Sequence, residues 1–91
     1  MQELELKCTL TLWMAFTNYL RKDPYIGKDA AQLAVFRLLT KLDQEGISNV
    51  DLIISTEFTY TLKYECEGIH FIKQFSKEEV DSVNVKQILN I

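Results

Sequence analysis

From Glu3 to Leu12 the chain alternates, with Glu3, Glu5, Lys7, Thr9 and Thr11 polar against Leu4, Leu6, Cys8, Leu10 and Leu12 apolar. A period of two is what a strand with one buried face requires. The alternation fails at Trp13-Met14-Ala15-Phe16, and the residues up to Lys22 suit a helix. The pattern therefore predicts a strand near 3–8 running into a helix from about Thr9 to Lys22; the alternative is one long helix from the start. On a helical wheel Leu12, Trp13, Phe16, Tyr19 and Leu20 share an arc, with Leu10 and Met14 beside it. Thr11, Asn18 and Lys22 form the polar stripe. A helix apolar over most of its circumference is covered on several sides, either by its own chain or by a second one.

Asp23-Pro24 ends that helix, because the residue before proline is driven out of the α region. After a loop over Pro24–Lys28, Asp29 with Gln32 three residues on has the form of a capping box. The second helix runs to Glu45, and Gly46 supplies the left-handed cap. Ala31, Ala34, Val35, Leu38, Leu39 and Leu42 make its inner face, and Leu33 and Phe36 fall outside it.

Val50–Ile54 is short and β-prone. Alternation then returns, with Phe58, Tyr60, Leu62, Tyr64 and Cys66 on one side of a strand. Glu67-Gly68 is a turn signal, and Ile69–Phe75 is the returning strand. A two-residue loop pairs Cys66 with Ile69, Tyr64 with Phe71 and Tyr60 with Phe75, which gathers the aromatics on one face. A three-residue loop would pair Tyr64 with His70 and spoil that face. Ser76 with Glu79 and Asn84 with Gln87 are two more capping boxes only eight residues apart. They predict two short helices with a break near Ser82. The whole is a single α+β domain over residues 1–91: an N-terminal strand and two helices, an antiparallel hairpin or small sheet, and short C-terminal helices.

Composition supports one folded unit, since 47% of the 91 residues are apolar and only three Gly and one Pro occur. The formal charge of −3 gives no overall basic excess of the kind that neutralises nucleic-acid phosphates. Two cysteines far apart do not form a disulfide framework, and the acidic start is unlike a signal peptide. Cys8–Leu20 is too short and too polar to span a bilayer. These features predict a cytoplasmic protein, and eight Lys against two Arg hint at an AT-rich bacterial or phage source.

Candidate chemistry is thin. His70 is the only histidine and stands across from Glu65 in the favoured register, the position of a surface cross-strand pair. Cys66 and His70 would then point to opposite faces, which rules out a thiol–base pair between them. Both cysteines fall in phase with core residues, and no zinc-ligand spacing occurs. The carboxylates suit strand exteriors and helix starts. No phosphate-binding loop, dinucleotide fingerprint or nucleophile elbow is present. No catalytic residue, metal site or cofactor is therefore assigned.

Arg37 and Lys41, one turn apart on the second helix, are the best basic stripe. Two helices before a hairpin resemble a winged helix in element order, but Glu65 and Glu67 make the tip of that wing acidic. What remains is surplus apolar surface at Trp13, Phe16, Tyr19, Leu33 and Phe36, residue types enriched at interface centres. The leading expectation is a non-enzymatic protein–protein interaction module: a small regulator, inhibitor or subunit that forms a homodimer. On that reading, truncating Trp13 or Phe16 breaks a complex and leaves the chain folded. The second reading is a winged-helix-like DNA-binding regulator. The third is a ligand-binding protein or enzyme that uses the aromatic face of the hairpin.

Overall fold

A computed structural model describes residues 1–91. Two long helices, α1 (Glu3–Arg21) and α2 (Lys28–Gln44), precede three strands, β1 (Ile47–Ser55), β2 (Thr59–Cys66) and β3 (Ile69–Ser76). Two short helices close the chain, α3 (Lys77–Asp81) and α4 (Val85–Leu89). The strands form one antiparallel sheet in the order β1-β2-β3. The fold is α+β, as the sequence predicts.

The predicted N-terminal strand does not form; residues 3–8 are the first turns of α1. Glu, Leu and Lys are good helix formers, and extending a helix already nucleated over 9–21 needs no new nucleus. The polar residues confirm the geometry, because they reach three different neighbours. Glu3 pairs with Lys73 on β3, Glu5 with Lys41 on α2 at 3.1 Å, and Lys7 with Glu79 on α3 at 3.6 Å. On a strand all three would leave from one face. The same change of geometry exposes Cys8 and Leu4, whereas Leu6 and Leu10 point inward. Cys8 is thus a surface thiol, not the core residue its phase in the alternation suggested.

α1 packs against α2, α3 and α4, so its broad apolar surface is covered within the chain. Trp13 and Phe16 retain only 7% and 3% exposure, and they join Leu10, Met14, Leu62, Tyr64, Phe75 and Val80 in one core cluster. Tyr60, Tyr64 and Phe75 of the hairpin's aromatic face belong to this core, whereas Phe71 keeps 39% exposure at its edge.

α2 departs from expectation at its start and at one residue of its inner face. Gly27, in the left-handed region at φ 77°, is the N-cap, and Asp29 makes no side-chain cap. Asp29 instead sits in the first turn, where its carboxylate suits the helix dipole. Ala31 and Leu42 are fully buried, Ala34, Val35 and Leu38 are partly so, and Leu39 lies exposed at the flank. At the other end, Gly46 adopts φ 78° just beyond the last turn, as predicted.

The hairpin has the predicted register throughout, with Cys66 opposite Ile69, Tyr64 opposite Phe71, and Tyr60 opposite Phe75. Tyr64 and Phe71 stack at 5.3 Å between centroids. Phe58 lies outside this pattern, exposed in the loop before β2. β1 is longer than the β-prone run suggests, and two register shifts interrupt its pairing with β2. Asn49, inside the first shift, has φ 54°, a conformation asparagine tolerates better than most residues. Ser76 and Asn84 cap α3 and α4 by accepting the backbone N–H of Glu79 and of Gln87, and the break falls at Ser82.

Both turn residues, Glu67 at φ 53° and Gly68 at φ 79°, are left-handed, the requirement of a two-residue loop matched to strand twist. Glutamate is poorly suited to that conformation, whereas asparagine adopts it readily. Glu67→Asn is expected to raise stability by about 0.5–1 kcal/mol, read as a higher urea midpoint at unchanged slope.

Candidate functional site

Two surfaces stand out once the core is accounted for. The first is the outer face of α2. Its inner residues reach α1 and β1, and a 3.6-residue period therefore turns Leu33 and Phe36 away from the body. Leu33 is 48% and Phe36 66% exposed, and Leu39 flanks them. Asp29 and Arg37 stand four residues before and after Leu33, one turn in each direction, and neither forms an ion pair within the chain. Lys41, the other half of the basic stripe, is held by Glu5.

Of the five residues singled out from sequence, this face contains two. Trp13 and Phe16 lie in the core, and Tyr19 is half-buried with its hydroxyl donating to the Ile26 carbonyl at 2.5 Å. The apolar periphery of α1 looked surplus because the sequence does not reveal that α3 and α4 fold back over it.

The second surface is a groove of about 870 Å³ between the C-terminal half of α1, the β1–β2 end of the sheet, and α3 with α4. Ala15, Leu52, Val80 and Val85 line its apolar part, and Arg21, Lys22, Lys77 and Lys86 stand around it. The single carboxylate in the lining is Asp81. It accepts a hydrogen bond from the Tyr60 hydroxyl at 2.9 Å. Burial and the neighbouring Asp81 carboxylate push the Tyr60 phenol above its ordinary pKa; the Asn18 amide and the Arg21 charge pull the other way without prevailing. Tyr60 therefore remains a neutral donor at physiological pH.

Lys77 is held in place at the groove. Its ammonium lies 5.2 Å from the centroid of the Tyr60 ring and donates to the Thr56 carbonyl at 3.1 Å. The groove residues were not legible from sequence because they come from separate elements. The one local signal is Arg21-Lys22, and cations there are equally well explained by the negative end of α1.

The remaining candidates stay apart. His70 Nδ1 lies 3.3 Å from Glu65 Oε1 across the hairpin, on the face opposite Cys66. No group of three or more His, Cys, Asp or Glu side chains comes together in a form that could hold a metal ion. No helix is long and apolar enough to cross a membrane. No protein-family model, curated protein or solved structure matches this chain.

Proposed function

We propose that the chain is a non-enzymatic protein-interaction module that docks through the outer face of α2, and that the occupant of this face is a second copy of the chain. The observation that carries the reading is the exposed Leu33–Phe36 surface, with Leu39 at its flank, on a helix whose opposite side already supplies the core contacts. Apolar side chains grouped on one helical face gain by leaving water together.

The charges favour self-association over an unrelated partner. A two-fold pairing of antiparallel α2 helices centred on Leu33 brings each Asp29 to the same level as the other copy's Arg37, and the contact occurs twice. Such an isologous arrangement is the commonest form of protein dimer. The acidic hairpin tip and the internal pairing of Lys41 give no comparable support to the DNA-binding alternative.

The test is solution mass by sedimentation over a concentration series. The wild-type chain should reach dimer mass. Phe36→Asp should give a monomer with an unchanged circular dichroism spectrum, because a charge in the contact centre is desolvated without a partner. Arg37→Glu should weaken the dimer, and Asp29→Lys added to it should restore association. A wild-type monomer at every concentration, or a dimer indifferent to Phe36→Asp, overturns the proposal.

A further inference from the structure

Positive charge is distributed unevenly over this acidic protein. Four of the ten Lys and Arg but only one of the thirteen Asp and Glu line the groove, leaving six cations against twelve carboxylates elsewhere. None of the four groove cations forms an ion pair, whereas Lys7, Lys28, Lys41 and Lys73 all do. Unpaired cations crowded around a concave surface repel one another and raise the local concentration of anions. The one carboxylate present is occupied by the Tyr60 hydroxyl.

From this we infer that the groove binds a small phosphorylated molecule, held by Arg21, Lys22, Lys77 and Lys86. A phosphate ester carries about −1.5 to −2 charges at neutral pH, so a ligand with one or two phosphates matches the excess better than a single carboxylate does. Arg21 offers a planar fork suited to two phosphate oxygens. Lys77, already fixed over Tyr60, brings a charge that loses little freedom on binding. The volume of about 870 Å³ is that of a small-molecule site. With twelve carboxylates against six cations over the rest of the chain, a long polyanion such as duplex DNA, whose affinity depends on many phosphate contacts, is disfavoured.

Titration of the isotopically labelled full chain with pyrophosphate at low ionic strength, followed by amide chemical shifts, tests the assignment. Saturable shifts are expected at Asn18–Lys22 and Lys77–Lys86, with the outer face of α2 unaffected. Arg21→Gln and Lys86→Gln should each weaken pyrophosphate binding about fivefold or more, the loss of one charge-assisted contact. Asp81→Asn keeps an acceptor for Tyr60 while removing the repelling charge, and should tighten binding about threefold or more. No saturable shift, or shifts spread equally over Arg37, Lys63 and Lys73, would overturn the site. Citrate binding as tightly as pyrophosphate would overturn the choice of phosphate, and duplex DNA binding more tightly at the same residues would overturn that of a small ligand. Because the groove and the α2 face share no residue, failure here leaves the dimer proposal standing, and the reverse.

Discussion

Trp13→Ala is expected to unfold the protein under mild stress and not merely to dissociate a complex. Trp13 keeps 7% of its surface exposed and Phe16 only 3%, inside a cluster that contains side chains from both long helices and all three strands. Truncating a buried Trp or Phe to Ala costs about 3–5 kcal/mol, through lost transfer energy and the cavity left behind. A 91-residue domain has a total stability of about 5–14 kcal/mol, so one such change removes a large share of it. At about 4–8 °C per kcal/mol for a domain near this size, the melting temperature should fall by at least about 12 °C. Phe36→Ala supplies the contrast. Its side chain is 66% exposed, and its loss should change monomer stability by no more than about 0.5 kcal/mol. Thermal and urea melts of the two variants check this. If Trp13→Ala melts like wild type and only changes the association state, Trp13 belongs to an interface and not to the core.

Proline at position 8 should be nearly as damaging, although Cys8 lies on the surface. Residue 8 is inside α1, which begins at Glu3. A proline there removes the backbone bond to Leu4 and clashes with that carbonyl, at a cost of about 3 kcal/mol or more. Unwinding the first turns relieves the clash only by withdrawing Leu6 from the core and releasing Glu3 and Glu5 from Lys73 and Lys41. Cys8→Ala is the control and should stay within about 0.5 kcal/mol of wild type, because it keeps the helix and disturbs no core contact. The pair separates helix from strand directly. On a solvated edge strand, proline at a position whose N–H faces water is tolerated. A Cys8→Pro chain with wild-type stability would therefore refute the helical assignment of residues 3–8.

That region is also where sequence logic broke down, for a definable reason. Side chains two apart lie about 200° apart on a helix, so alternation scatters apolar residues around the circumference. In α1 that is tolerable, because neighbours cover several sides of the helix and Leu4 and Cys8 simply remain outside. The hairpin was legible to the residue because its determinants are local: a two-residue left-handed turn and aromatic partners directly opposite. The capped starts of α3 and α4 were legible for the same reason. The β1 bulges and the groove were not, since both depend on contacts between elements. Of the interface candidates, Leu33 and Phe36 were found because the period of α2 alone puts them outside. Trp13 and Phe16 look surplus in the sequence because part of the cover over α1 comes from α3 and α4, at the far end of the chain.

The irregular pairing of β1 with β2 makes the two borders of the sheet unequal. Each outer strand has backbone groups turned away from the sheet, and such a row is a template on which another extended segment can add. The two shifts in β1 disturb the spacing and twist that strand addition needs. β3 has no such interruption: its eight residues pair with β2 in continuous register, and Ile69, Phe71 and Ile72 stand exposed along it. Of the two borders, only β3 therefore offers a regular template on which a further extended segment could pair.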